Sequence, residues 1–186
     1  MKGRGLIKSQ IIESWEECVR SDYSRQRINS ERSLQASLWA QLNKRLSKNR
    51  RLFIEPRILV ERNGLKRKIY PDVVVCSTKE VISIIELKYL PRGNPIYKKE
   101  IRNFDFIARN RKSISIANDR YSGPIGEAKI YGLSNRILFV WAGIHQECRN
   151  ETEYMFNEGF TNLSECYLQL HAATRKDSDP NIYYYE

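Results

Sequence analysis

The chain has 186 residues, 41% of them hydrophobic, with 32 Lys and Arg against 22 Asp and Glu, a formal net charge of +10. That length fits a single domain, residues 1–186, with a substantial core, and no apolar run reaches the roughly 18 residues of a membrane span, so no membrane partner is expected. The start lacks the long apolar stretch of a signal peptide, and Cys18, Cys76, Cys148 and Cys166 are scattered without the spacing of a disulfide scaffold, which together predict a reducing, cytoplasmic setting.

In chain order, the first predicted element is a helix over 30–47. Leu34, Leu38, Leu42 and Leu46 recur every four residues, and Ser30 is suited to cap the start. On a helical wheel Glu31 and Gln35 fall inside the leucine stripe, not on the opposite polar face. Glu31 either favours the helix N-terminus electrostatically or reaches a site at the sheet edge. A strand follows over 52–60, interrupted by Pro56. Asn63-Gly64 signals a hairpin into a second strand over 66–76, and a tight connection at 77–80 leads to a third over 81–90. The Pro/Gly-rich loop at 91–95 ends that run. Ile101, Phe104, Ile107 and Ala108 give 97–110 a helical spacing. The continuous apolar run 137–144 reads as a central buried strand. Residues 167–172 fit either a strand or the end of a helix, and 177–186 read as a surface extension that Tyr183, Tyr184 and Tyr185 could anchor.

Two short segments carry the chemistry. Pro71-Asp72-Val73-Val74-Val75 puts a carboxylate at the head of a buried strand, and Ile84-Ile85-Glu86-Leu87-Lys88 puts a second carboxylate and a lysine on one face of another. If the turn is centred near Lys79, Asp72 and Glu86 face each other, with Cβ atoms about 4.5–5.5 Å apart. Carboxylates that close repel unless a cation lies between them, and hard Mg²⁺, bound through carboxylates and water, suits the pair. Each element has a plainer reading: Pro-Asp is a common turn dipeptide, and Glu-x-Lys on a strand is often a solvated face.

The set Pro71, Asp72, Glu86 and Lys88 resembles the motif of the PD-(D/E)xK nuclease superfamily. The resemblance covers about residues 30–145, leaving 146–186 as a C-terminal extension. It implies an α/β fold with a restriction-endonuclease-like core in the order α-β-β-β-α-β, a mixed central sheet flanked by helices. It further implies metal-dependent phosphodiester hydrolysis, most readily by a DNA endonuclease. By that resemblance Asp72 and Glu86, with the Leu87 carbonyl, hold Mg²⁺, for which Mn²⁺ can substitute. Lys88 assists the attacking water, and Glu31, in the place of a glutamate often found on the first core helix, binds a second metal ion or a water.

The charge agrees with a nucleic-acid partner, DNA before RNA. Basic residues concentrate at 20–32, 44–51, 62–68 and 92–111, and Gln35, Arg62, Lys66, Arg67, Lys68, Arg92, Lys98 and Lys99 are the residues expected to contact it, with Tyr23, Tyr97 and Phe104 available for stacking. Self-association as a homodimer is compatible with cutting both strands of a duplex. Other readings rank lower. His145, Cys148, Cys166 and His171 could form a zinc site but lack turn glycines. The loop Gly123-Pro124-Ile125-Gly126 lacks the lysine and hydroxyl of a P-loop. Glu127 and Lys129 repeat the Glu-x-Lys spelling without an apolar strand before them. A non-catalytic nucleic-acid-binding or assembly subunit, and a toxin-like RNase, are the functional rivals.

Overall fold

A computed structural model describes residues 2–62, 65–118, 122–124, 129–147 and 160–186. Ile7, Ile11, Trp15 and Cys18 recur at helical spacing and are all buried. They anchor α1 (Lys2–Glu17), which runs into a π-helical turn over Cys18–Tyr23. α1 adds to the elements read from the sequence, which begin at Ser30. There the Ser30 hydroxyl accepts the Ser33 amide and the Ser33 hydroxyl accepts the Ser30 amide, a reciprocal cap that starts α2 (Glu31–Arg45). Its leucines Leu34, Leu38 and Leu42 are buried as their spacing requires.

The run expected as one strand over 52–60 is two, β1 (Arg51–Ile54) and β2 (Ile58–Arg62). Pro56 has no amide to continue the ladder, and Glu55 beside it turns the chain at φ 46°. The run over 66–76 divides likewise around Pro71 into β3 (Leu65–Ile69) and β4 (Val73–Cys76). β2 and β3 pair as a hairpin; the Asn63-Gly64 dipeptide that signals it lies outside the described residues. The remaining elements are β5 (Glu80–Leu90), α3 (Lys98–Arg109), β6 (Ile114–Ala117), β7 (Ile130–Gln146), β8 (Tyr167–Thr174) and β9 (Asn181–Tyr185). Residues 167–172 are therefore a strand. The tail, expected on the surface, is an edge strand whose Tyr183 ring stacks on His171 at 4.7 Å.

These strands form one curled mixed sheet in the order β1-β4-β5-β7-β6-β2-β3, with β8 on β7 and β9 on β8. β1, β4 and β5 are antiparallel neighbours, whereas β5, β7 and β8 run parallel. A parallel return needs a crossover, and α3 lies within the one joining β5 to β7. β7 is the spine: its start pairs with β6, and Phe139 to Gln146 pair with β8. Strand alternation divides the core into two layers. Val73, Val75, Ile85 and Leu87 pack with α1 and α2, while Val74, Ile84, Phe139 and Trp141 pack with Phe104 and Ile107 of α3.

A β-bulge interrupts the β4–β5 ladder: Cys76 pairs with Val81, but Val75 pairs with Ser83. In β7, Gly143 lies under the Trp141 indole, and a Cβ there would come within 2.2 Å of a ring carbon.

Candidate active site

Beyond the bulge, Val74 pairs with Ile84 and Val73 with Ile85. One residue past the last backbone pair, the same register brings Asp72 beside Glu86, the neighbours that the mirrored spacing predicts. The two carboxyls share a hydrogen bond. Asp72 is held from several sides. Its Oδ2 accepts the Leu87 amide at 2.6 Å. Its carbonyl accepts the Gln35 side-chain amide at 2.8 Å and the Glu55 backbone amide at 3.1 Å. α2 thus reaches the site through Gln35, which is buried and fixes the aspartate's backbone.

Glu86 and Lys88 share strand parity with Ile84, so they face α3. There Glu100, one turn before Phe104, lies on the buried side of the helix. Its Oε1 is 3.4 Å from Lys88 Nζ. Its Oε2 is buried and has no hydrogen-bond partner among the described residues. Lys88 also donates to the Leu87 carbonyl at 2.9 Å and lies 3.7 Å from Glu31 Oε2. Four carboxylates therefore surround one ammonium. The sequence reading omits Glu100. Its signal was available, because Glu100, Phe104, Ile107 and Ala108 fall on one helical stripe, the pattern that singled out Glu31 on α2.

The electrostatics follow from this crowding. Burial pushes the Glu86 carboxyl up to about 9, reinforced by the nearby charge of Asp72 and more weakly by Glu100, while Lys88 opposes the shift. Asp72 is also raised, first by burial and then by Glu31, against the pull of the Leu87 amide and Lys88. Burial alone would lower Lys88, but Glu31, Glu100, Asp72 and Glu86 outweigh it and hold the ammonium above its ordinary value. The two carboxyls, joined by a hydrogen bond, titrate as a pair.

The donor set is all oxygen, which fits a hard cation such as Mg²⁺ or Mn²⁺, and an orphaned buried carboxylate oxygen fits a missing positive partner. The carboxylates are not drawn together as a ready-made cage: among the described residues no three acidic, thiol or imidazole groups stand at ligand spacing around one point. The Leu87 carbonyl, expected to face a metal, accepts the Lys88 ammonium instead.

The residues expected to contact nucleic acid lie on several elements. Arg92, Lys98 and Lys99 are exposed between β5 and the first turn of α3, and Lys68 is exposed on β3. Arg67 donates to Asn103 at 2.8 Å and lies over the Phe106 ring, which ties the β2–β3 hairpin to α3. The side chains of Arg62 and Lys66 lie outside the described residues. Tyr23, Tyr89, Arg92, Arg175 and Lys176 line a cleft of about 830 Å³ at the carboxyl ends of β5, β7 and β8.

The zinc alternative takes a different form. His145 Nε2 and His171 Nδ1 are hydrogen-bonded to each other at 2.9 Å, and both rings are buried. Cys166 is buried and its thiol donates to the Asn162 carbonyl, and Cys148 lies outside the described residues, as does Glu127. No helix among the described residues is long and apolar enough to cross a membrane. No protein-family model, curated protein or solved structure matches the chain. What stands is a mixed α/β protein with a buried carboxylate–lysine centre at the end of its antiparallel strands.

Proposed function

We propose that the protein is a metal-dependent nuclease that hydrolyses phosphodiester bonds in nucleic acid, DNA first. The observation that carries this reading is the hydrogen-bonded carboxyl pair of Asp72 and Glu86, with Lys88 two residues on and facing the same side. The chain order supports a restriction-endonuclease-like core. α2, β1, β4, β5, α3 and β7 follow one another as α-β-β-β-α-β once the β2–β3 hairpin and the short strand β6 are read as insertions.

In this reading Asp72 and Glu86, with Glu31 beside them, hold the divalent ion, which when bound polarises the scissile phosphate and lowers the pKa of a water. Gln35 and the Leu87 amide keep Asp72 in place. Lys88 offers its ammonium to the negative charge that develops on the phosphate. The basic residues hold the backbone of the substrate, so binding weakens steeply with added salt.

A second reading, a nucleic-acid-binding or assembly subunit without catalysis, draws on one observation: Lys88 already compensates Glu31 and Glu100 without a metal. Supercoiled plasmid incubated with the protein and either Mg²⁺ or EDTA separates the two. Nicking that needs Mg²⁺ is expected, and a mobility shift without nicking would favour the subunit. Single-stranded RNA in the same assay tests the RNase alternative.

A further inference from the structure

The buried oxygen of Glu100 has no role in the reading above. A carboxylate oxygen taken out of water without a partner is costly, and such groups are rare enough to need a cause. Glu100 is 92% buried by its side chain, whose relative exposure is 8%, and it sits among Ile101, Phe104 and Ile107 on the inner face of α3. Service as counter-ion to Lys88 does not account for it. The closest bond of the ammonium is to the Leu87 carbonyl, Glu31 lies 3.7 Å away, and the 3.4 Å contact with Glu100 engages only Oε1, leaving Oε2 without a partner among the described residues. Charge-assisted N–H···O bonds close to about 2.7–2.9 Å, so this contact is loose.

We propose that Glu100 is a further carboxylate ligand of the centre, supplying Oε2 to a divalent cation held against Glu86, and that Lys88 is the counter-ion this cation displaces. The placement supports it. Glu86, Lys88 and Glu100 face one another across the gap between β5 and α3, and Lys88 ends a flexible stem that can swing toward Glu31. The inference rests on the nuclease reading for its setting, but its test does not.

Mn²⁺ binding to the full chain, followed by electron paramagnetic resonance without nucleic acid, measures the site directly. The wild type is expected to bind Mn²⁺, Glu100→Gln to bind it at least tenfold more weakly, and Lys88→Met to bind it more tightly because the competing ammonium is gone. Circular dichroism in EDTA checks that the variants fold. Should Glu100→Gln misfold, Glu100→Asp, which keeps the charge but withdraws the oxygens by one methylene, is expected to weaken binding too. Wild-type affinity in whichever folded Glu100 variant is measured, or no Mn²⁺ binding by the wild type at millimolar concentration, overturns the proposal. Unchanged or weaker binding by Lys88→Met overturns the displacement. Plasmid cleavage is assayed in parallel. Glu100-dependent Mn²⁺ binding without cleavage leaves this inference standing and removes the nuclease reading, whereas cleavage with Glu100-independent binding does the reverse.

Discussion

Asp72 Oδ2 accepts the backbone amide of Leu87 at 2.6 Å, so a side chain closes the β4–β5 ladder where the backbone pairing ends. This gives one residue two duties. Asp72→Ala would remove the acidic ligand and also strand the Leu87 amide, at a cost of about 1–3 kcal/mol. Asp72→Asn keeps an acceptor oxygen in place and should unfold close to the wild-type denaturant midpoint while losing Mg²⁺-dependent cleavage. Urea titrations beside plasmid assays read both effects. Equal destabilisation by the two substitutions would show that the Leu87 bond contributes little.

The raised Glu86 carboxyl predicts a pH dependence of stability. Between its ordinary value of 4.5 and about 9, the folded state holds a proton that the unfolded chain has lost. Stability from this group is therefore full below 4.5, falls as pH rises through that window and levels off above about 9. Thermal midpoints in EDTA should show the gap between wild type and Glu86→Gln changing in that direction, to the detriment of the wild type, as pH rises. A gap that is flat with pH would mean that Glu86 titrates normally.

Gln35 acts through Asp72. Its buried amide holds the Asp72 carbonyl at 2.8 Å, and the Glu55 amide keeps that carbonyl partnered when Gln35 is removed. Gln35→Ala should then lower stability by about 1 kcal/mol. It should also slow cleavage at saturating substrate by at least tenfold, with nucleic-acid affinity unchanged. Loss of affinity without loss of rate would instead make Gln35 a substrate contact.

Gly143 pairs in register with Lys88 on the neighbouring strand, beneath a fully buried Trp141. The Trp141 indole donates to the Ile96 carbonyl and meets Tyr97 edge-on at 5.8 Å, which seats the start of α3. Gly143→Ala would push the ring away and cost about 1–3 kcal/mol by overpacking. Because α3 carries Glu100, Mn²⁺ binding should weaken as well. An alanine variant as stable as the wild type would show that the indole tilts freely.

What the sequence made legible was whatever depends on strict periodicity. Parity along β5 put Glu86 and Lys88 on one face, and the leucine stripe located α2 together with Gln35. Two things stayed hidden for opposite reasons. α1 carries Ile7, Ile11 and Trp15 at helical spacing, but with Gly3 and Gly5 among its first residues it has a weak helix start. The division of 51–76 into four strands depended on where Pro56 and Pro71 let the chain leave and rejoin the sheet, and on β6 arriving from far along the chain to pair with β2. Only tertiary pairing decides that.

The bulge in the β4–β5 hairpin makes the site a matter of counting. Continued from the Cys76–Val81 pair without the extra residue, the ladder would bring Asp72 opposite Ile85, and Glu86 would lose its partner. Ile82 is the residue that restores the frame. Between the turn and the Asp72–Glu86 pair, then, the number of residues is constrained more tightly than their identity. Conservative replacements at 77–82 leave the frame intact, whereas a single insertion or deletion that moves the ladder by one rung disarms the centre without altering any of its chemical groups.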